Sequence, residues 1–252
     1  MILTMKNIYL VFKPMYNDKL WRHVNLRKLF GVPLLVLAAV IAIYIIFKPN
    51  EIVNSITCDN NEKSGDYLVL VNKNHQLSSD YTPENLTIPN VNFTPNTSNE
   101  EKMMQEEAAR ALEKLFKSAS KENMKLYGLS GYRSYECQKQ VYDKRVKKVG
   151  RKQADEYVAH PGASEHQTGL AMDLTNEEGS KGKLKVDFGQ TKEGQWVKSN
   201  AQNFGFIMRY PKEKEDVTGY RCESWHIRYV GVKVAKEIFN KHMVLEEFLN
   251  KK

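Results

Sequence analysis

The sequence predicts an α+β domain preceded by one transmembrane helix. Three observations lead to this prediction: an uncharged stretch of nineteen residues near the N-terminus, helical and strand-like segments that follow one another without a regular βαβ rhythm, and the absence of an internal repeat. At 252 residues, with 41% hydrophobic and 27% charged residues, the chain has room for one globular domain and an accessory segment. This composition excludes a collagen-like chain, a repeat array and a wholly disordered protein.

The uncharged stretch covers residues 29–47. Nineteen residues at a rise of ~1.5 Å each span roughly 28 Å, close to the ~30 Å hydrocarbon core of a bilayer. Residues 1–28 contain six Lys or Arg and one Asp, a bias that places the N-terminus in the cytoplasm. We therefore expect a single-pass cell-membrane protein with a cytoplasmic segment 1–28, an anchor 29–47, a linker 48–64 and an extracytoplasmic domain 65–252. A cleaved signal peptide is the alternative, although no A-x-A-like site follows the apolar stretch.

The net charge of +8 comes mostly from the N-terminal segment. Beyond residue 28 the chain has 32 basic and 29 acidic residues, which is close to balance. A nucleic-acid-binding domain carries its positive charge in a patch of its own surface. We therefore expect no nucleic-acid partner.

Hydrophobic spacing predicts the elements of the domain in order. They are a strand over 67–71, a helix over 99–118, a strand over 126–129, helices over 134–149 and 195–204, strands over 206–209 and 225–230, and a terminal helix over 231–249. Ser98 and Glu101 have the spacing of a capping box, which favours a helix start at residue 99. Residues 78–98, rich in Ser, Thr, Asn and Pro, are typical of a loop. These elements predict a small antiparallel sheet flanked by helices.

Two short strings contain the chemically informative histidines. One is Ser164-Glu-His166-Gln-Thr-Gly-Leu-Ala-Met-Asp173, and the other is Glu223-Ser-Trp-His226. Two His and one carboxylate are the ligand set of a catalytic zinc site, which keeps a fourth position for water. A further Glu has the chemistry of a general base for that water. The sheet is therefore expected to carry a zinc site.

These strings resemble the signature S-x-H-x-x-G-x-A-x-D and E-x-W-H of the VanY-type zinc D-Ala-D-Ala carboxypeptidases, a group related to the lysostaphin-type peptidases and to hedgehog N-terminal domains. Further blocks resemble the same family in the same order: Ser130-Gly-Tyr-Arg133-Ser-Tyr-Glu-Cys-Gln138, residues 203–211 and Thr218-Gly-Tyr220. The resemblance extends from about residue 67 to residue 231. Ser224 departs from it, because the commoner family form has Pro there, and this removes a backbone restraint beside the Glu.

The resemblance implies a role for each matching residue. One Zn²⁺ would be bound by His166, Asp173 and His226. Glu223 would activate the water, and the planar guanidinium of Arg133 would stabilise the developing oxyanion. Ser164 and Gln138 are candidates for polar contacts to the substrate.

The implied function is a zinc-dependent D,D-carboxypeptidase that removes the terminal D-Ala from peptidoglycan stem peptides or their precursors. The charge bias around the anchor directs the domain to the side of the membrane where this substrate lies. L,D-cleavage and D,D-dipeptidase action on the same stem peptides stay open, because zinc, base and Arg serve any of these reactions. A catalytically silent cell-wall binding module is the alternative of another class.

The cysteines give two further hypotheses. Cys222 directly precedes Glu223, so a covalent Cys mechanism is the rival to metal-dependent hydrolysis. Because the resemblance brings the two motifs to one site, a Cys137–Cys222 disulfide is the second hypothesis; sequence alone does not fix such a pairing.

Overall fold

The structure is a computed structural model that describes residues 67–183 and 187–251. The predicted cytoplasmic segment, anchor and linker lie outside these residues. Within the described ranges, none of the helices combines the length and the apolar character needed to cross a bilayer.

Short strands and helices alternate along the described chain. The strands are β1 (Leu86–Thr87), β2 (Met104–Gln105), β3 (Leu126–Ser130), β4 (Ala171–Asn176), β5 (Phe206–Tyr210) and β6 (Glu223–Tyr229). The α-helices are α1 (Glu106–Lys121), α2 (Tyr135–Val149), α3 (Arg151–Tyr157), α4 (Glu177–Ser180), α5 (Lys192–Asn200), α6 (Glu215–Thr218), α7 (Val232–Asn240) and α8 (Leu245–Leu249). Short 3₁₀ turns cover Glu165–Thr168, Phe188–Gln190, Ala201–Phe204 and Lys212–Lys214.

In the part of the chain that the structure describes, four strands form an antiparallel sheet in the order β3-β4-β6-β5, and β1 pairs with β2 in a separate two-stranded sheet. This confirms the predicted α+β class with a small antiparallel sheet. The central strands β4 and β6 are far apart in sequence, so the sheet joins the two halves of the domain.

Residues of the central strands alternate between two faces, as side chains in a strand must. The apolar face, formed by Met172, Leu174 and Ile227, lies in the main core. The buried side of α1 packs in the same core through Ala108, Leu112, Leu115 and Ala119. The polar face is formed by the intervening residues Asp173, His226 and Arg228, together with Arg209 on β5. A second apolar cluster, which includes Ile207, Ile238, Leu245 and Phe248, joins β5 to α7 and α8.

The predicted helix start at residue 99 is wrong, although the capping box forms. The N–H of Glu101 donates to Ser98 Oγ at 3.2 Å, and the N–H and hydroxyl of Ser98 donate to the Glu101 carboxylate at 3.2 and 2.8 Å. These bonds close a turn, after which β2 pairs with β1 and α1 begins at Glu106. Capping bonds are local, and here the pairing of β2 decides where the helix starts.

The predicted strand over 67–71 is also wrong. The run is apolar, with Tyr67 and Val71 buried, but it forms no strand in the described structure. Its carbonyl groups are instead satisfied by a side chain, since Arg228 Nη2 donates to the carbonyls of Tyr67 and Val69, both at 2.9 Å. The buried guanidinium of Arg228 thus donates hydrogen bonds that a neighbouring strand would otherwise donate.

The other predicted helices and strands form, with shifted ends. Helix α2 begins after Ser134, whose Oγ accepts from the N–H of Cys137, and ends before Gly150, as predicted. The predicted helix over 195–204 begins earlier, at Lys192, and finishes as a 3₁₀ turn. The predicted terminal helix over 231–249 is divided into α7 and α8, with His242 at a φ of 51° between them. Strands β1, β2 and β4 and helices α3, α4 and α6 were not predicted.

Candidate metal centre

His166, Asp173 and His226 converge on the polar face of the sheet. Potential ligand atoms of the three side chains all lie within 4.8 Å of one another. Asp173 on β4 and His226 on β6 are direct partners in the strand register, so their side chains are neighbours on one face. His166 comes from the 3₁₀ turn that precedes β4. The structure therefore brings together the three residues predicted as zinc ligands.

Two glycines allow the backbone to approach here. Gly169 ends the 3₁₀ turn with a φ of 67°, and a Cβ at this position would lie 2.9 Å from Leu86 Cδ2. Gly131 follows β3, and a Cβ there would lie 2.6 Å from the Met103 carbonyl oxygen. The carbonyl oxygen of Gly131 lies 2.7 Å from Nδ1 of His166.

Hydrogen bonds leave a different ring nitrogen of each histidine for a metal. His166 Nδ1 lies 2.7 Å from the Gly131 carbonyl oxygen, which can only accept, so Nδ1 carries the proton and Nε2 is the available ligand. In His226 the other nitrogen, Nδ1, is the one available to a metal. Its Nε2 faces Glu165 Oε2 at 3.4 Å, and its Nδ1 lies 3.0 Å from Asp173 Oδ1. Partners on the far nitrogen fix the orientation of a ligating ring.

Glu223 lies beside the cluster, with Oε2 3.9 Å from His226 Nδ1 and a side chain that is 25% exposed. Residues three apart on a regular strand face opposite sides, but the register between β5 and β6 shifts between Met208 and Tyr210. This irregularity brings Glu223 to the polar face. Burial raises the pKa of Glu223 to about 7, and the carboxylate of Asp173 adds to the rise.

Ser224, the departure from the commoner family form, is held by hydrogen bonds. Its hydroxyl donates to Asp187 Oδ1 and accepts from the N–H of Gly189 at 2.9 Å. These bonds restrain the chain next to Glu223 where a Pro would restrain it by its ring.

Arg133 follows β3 and is fixed at three points. Its Nη1 donates to Gln138 Oε1 and its Nη2 to Ser130 Oγ, both at 2.7 Å, and its backbone N–H donates to the His166 carbonyl at 3.1 Å. Gln138 is 2% exposed, and its Nε2 donates to the Ala159 carbonyl at 2.8 Å. Because both polar atoms of Gln138 are engaged inside the protein, the structure places this residue behind Arg133 as a support. A contact from Gln138 to the substrate stays a prediction.

Ser164 immediately precedes the 3₁₀ turn that contains His166. It is 5% exposed, and among the described residues its side chain makes no capping bond to the turn. A contact from Ser164 to the substrate stays a prediction.

Cys137 and Cys222 are free thiols within the described part of the chain, so the hypothesised disulfide between them is absent there. Burial raises the pKa of the Cys222 thiol, and nearby carboxylates, first that of Asp187, raise it further. Burial also raises the pKa of the Cys137 thiol, with Glu100 adding to the effect. A protonated thiol is a poor nucleophile, which counts against the covalent Cys mechanism.

Sequence reasoning missed a buried charge network behind His226, formed by Glu165, Arg209, Arg228 and Glu246 and called here the Glu165 network. Glu165 Oε1 accepts from Arg209 Nε and Arg228 Nη1, both at 2.7 Å. The two terminal nitrogens of Arg209 donate to the two carboxylate oxygens of Glu246 at 2.8 and 2.7 Å. Burial disfavours the charged form of Glu165, yet the two guanidiniums hold its pKa well below the usual range. The sequence contained one signal for this network: Arg209 and Arg228 each lie inside a mostly apolar strand sequence, FIMRY and HIRY.

The electrostatics of the cluster favour a cation. Burial by itself would lower the pKa of His226, but the carboxylates of Asp173 and Glu165 raise it to about 9. Burial likewise disfavours the charged form of Asp173, yet His166 and His226 hold its pKa well below the usual range. Two imidazole nitrogens and one carboxylate oxygen that converge in such a field fit Zn²⁺ with a position left for another ligand.

Together, an antiparallel sheet with two His and one Asp on its polar face and a Glu beside them define a site of the mononuclear metallohydrolase class. Comparison of the sequence with known families gives a match over residues 101–232 to the family described as VanY: D-alanyl-D-alanine carboxypeptidase. The chain belongs to this family.

Individual relatives agree with this assignment. The chain is 48% identical over 185 residues to the putative carboxypeptidase YodJ of Bacillus subtilis (strain 168). The matched region covers 73% of this chain and 67% of that protein. Among solved structures, the LdcB LD-carboxypeptidase is similar with a TM-score of 0.67 and 48% identity, over 72% of this chain and 85% of that one. A vancomycin-resistance D,D-pentapeptidase VanY solved in complex with Zn(II) is similar with a TM-score of 0.60 and 30% identity, over 73% and 98%.

Proposed function

We propose that this protein is a zinc-dependent carboxypeptidase that removes the terminal D-Ala from peptidoglycan stem peptides. The convergence of His166, Asp173 and His226, with Glu223 beside them, carries the proposal. The similar proteins support it, since one is described as an LD-carboxypeptidase with peptidoglycan recognition and another as a D,D-pentapeptidase bound to Zn(II).

The mechanism uses water as the nucleophile. Zn²⁺ held by the two His and the Asp would act as a Lewis acid that lowers the pKa of water and polarises the scissile carbonyl. Glu223 takes a proton from the attacking water as the C–O bond forms, and passes it to the amine of the departing D-Ala as the C–N bond breaks. Burial of Glu223 favours its protonated form, which helps a carboxylate that takes up a proton and then donates it.

Arg133 stabilises the negative charge that develops on the carbonyl oxygen. Each terminal guanidinium nitrogen has two N–H groups, so the bonds to Gln138 and Ser130 leave one N–H on each for the substrate. Support from behind keeps the guanidinium in place before the charge develops, which is the requirement for electrostatic catalysis.

Two cleavage sites compete within this function. D,D-cleavage of the pentapeptide corresponds to the description of the family. L,D-cleavage of the tetrapeptide is the second candidate, and the 48% identity to the LdcB LD-carboxypeptidase favours it. Both reactions release D-Ala and use the same metal, base and guanidinium.

The deciding experiment uses the full-length protein in detergent, loaded with zinc. We would incubate it separately with a stem pentapeptide that ends in D-Ala-D-Ala, with the tetrapeptide and with free D-Ala-D-Ala, and follow D-Ala by mass spectrometry. The control is Glu223→Gln, which keeps the shape of the side chain and removes the base. Release from the pentapeptide alone establishes D,D-cleavage, release from the tetrapeptide establishes L,D-cleavage, and release from the free dipeptide establishes dipeptidase action. No release from any substrate, with one zinc bound per chain, contradicts the proposal and favours a binding module.

We also propose that residues 29–47 anchor the protein in the cell membrane, with the N-terminus in the cytoplasm and the catalytic domain outside. The uncharged segment and the basic residues before it support this topology. Protease added to intact protoplasts should then digest a C-terminal tag and spare an N-terminal one. The reverse pattern would contradict the proposed orientation.

A further inference from the structure

Glu165 lies behind the metal centre and takes no part in the proposed mechanism. We propose that Glu165 is a positioning residue that holds His226 with Nδ1 directed at the metal, and that helix α8 fixes Glu165 through Arg209 and Glu246. The inference rests on the proposed metal-dependent function and adds the group that selects how one ligand binds.

The first step is the choice between two ring nitrogens. A neutral imidazole can bind a metal through either nitrogen, and the hydrogen bond on the other nitrogen decides which one is free. Glu165 Oε2 lies 3.4 Å from His226 Nε2, on the side of the ring opposite to Asp173. A carboxylate there accepts the Nε2 proton and leaves the Nδ1 lone pair for the metal.

His166 provides an internal contrast, because the neutral carbonyl of Gly131 holds its far nitrogen. Glu165 places a full negative charge behind His226 instead. This charge makes Nδ1 of the imidazole a stronger electron-pair donor to a metal. It also adds to the negative potential that attracts a cation to the site. The two histidines are thus supported differently, and His226 is the one whose binding depends on a charged partner.

The second step is the rigidity of Glu165. Its side chain is fully buried, and Oε1 is held at 2.7 Å by both Arg209 and Arg228. Arg228 is in turn held by the carbonyls of Tyr67 and Val69. With Oε1 held in this way, Oε2 is left directed towards His226.

The third step links the carboxylate of Glu165 to helix α8 through Arg209. Glu246 on α8 accepts from both terminal nitrogens of Arg209, and Glu246 Oε1 also accepts from Asn72 Nδ2 at 3.2 Å. Burying so many charges adds little net stability compared with apolar side chains of the same size. A positioning function explains why these charges lie next to a metal ligand.

The test compares Glu165→Gln with a matched control, Glu246→Gln. Each variant removes one carboxylate charge from Arg209 at a buried position, but Glu165 alone faces His226. In the full-length protein we would measure zinc affinity by competition with a chromophoric chelator, and the visible absorption spectrum of the Co²⁺-substituted protein. We expect both variants to melt at lower temperature. Glu165→Gln should bind zinc about 10- to 100-fold more weakly and change the Co²⁺ spectrum, whereas Glu246→Gln should retain most of the affinity and the spectrum.

A measurement on the wild-type protein covers the case in which Glu165→Gln does not fold. With ¹⁵N-labelled histidine and zinc bound, NMR should show His226 protonated at Nε2 and ligating through Nδ1. Ligation through Nε2, or equal losses of zinc affinity in the two variants, or unchanged affinity in Glu165→Gln, would each overturn the inference while leaving the metal site itself intact. A wild-type protein that binds no zinc would overturn both this inference and the proposed function.

Discussion

The two faces of the central sheet are built from neighbouring residues of the same strands, yet different forces act on them. On the apolar face, Leu174 and Ile227 pack into the core against α1, and burial of apolar surface stabilises by about 25 cal/mol per Å². On the polar face, Asp173 and His226 lie next to the Glu165 network, and buried ion pairs of this kind contribute little net stability. The comparison teaches that adjacent residues of one strand can serve stability and chemistry separately.

The largest effect is expected on the polar face. Asp173→Asn removes the only carboxylate among the three proposed ligands, so zinc should be lost and kcat/KM should fall about 10³-fold or more, since a metal supplies several kcal/mol of stabilisation to the transition state. Metal content by mass spectrometry and the rate of D-Ala release measure this. The melting temperature of the metal-free protein should also fall, because the ionised Asp173 is stabilised by His166 and His226 in the folded state. A variant that keeps one zinc per chain and near-normal activity would contradict the assignment of metal binding to the polar face.

The neighbouring residue should behave in the opposite way. Leu174 is 1% exposed on the apolar face, and Leu174→Ala should lower the free energy of unfolding by about 2–5 kcal/mol. Chemical denaturation monitored by fluorescence gives this value. At a temperature where the variant is folded, its kcat and zinc content should match those of the wild type. A large loss of kcat in the folded variant would show that the two faces are coupled.

A smaller effect is expected at Gln138, which supports the guanidinium of Arg133. Gln138→Met fills the same buried space but removes the acceptor for Arg133 Nη1, so kcat/KM should fall about tenfold, equivalent to about 1.4 kcal/mol. Zinc affinity should be unchanged, because the polar contacts of Gln138 are with Arg133 and the Ala159 carbonyl. Steady-state kinetics measure kcat/KM, and chelator competition measures the zinc affinity. Gln138→Glu, which keeps an acceptor for Arg133, should retain more activity than Gln138→Met, and equal losses would argue against positioning.

The smallest effect is expected at Ser224. Ser224→Ala removes the bonds to Asp187 and Gly189 beside Glu223, at a cost of about 1 kcal/mol in stability and a few-fold in kcat. Thermal melting and D-Ala release measure the two changes. Ser224→Pro, which introduces the commoner family residue, should preserve activity if the hydrogen bonds and the ring restrain the same backbone.

Local patterns identified the residues that converge at the site better than the residues that support them. His166, Asp173, Glu223 and His226 lie in two short strings, and ligand chemistry depends on the residue types within such strings. Glu165 lies inside one of them but was missed, because its meaning depends on Arg209, Arg228 and Glu246, which only the folded chain brings near. The bond from Gln138 to Arg133 was missed for the same reason, since it depends on the folded chain.

The fold shows the same limit at three elements. The capping box at Ser98 formed without starting a helix, because pairing of β2 with β1 intervened. The apolar segment over 67–71 found a side-chain donor in Arg228 instead of a strand. The break after α7 places His242 in the left-handed region. In the first two cases local propensity was overridden by a partner elsewhere in the chain.

The pairing of Asn72 with Glu246 has a consequence for biosynthesis. These residues are 174 positions apart, and Arg228 contacts a carbonyl 161 positions away. Contacts between such distant residues form late, because the loop between them must close first. Helix α8 follows β6 in the sequence, so the Glu165 network beside His226 is complete only after α8 has left the ribosome. The proposed ligand His226 would therefore reach its final orientation only after α8 has packed against β5.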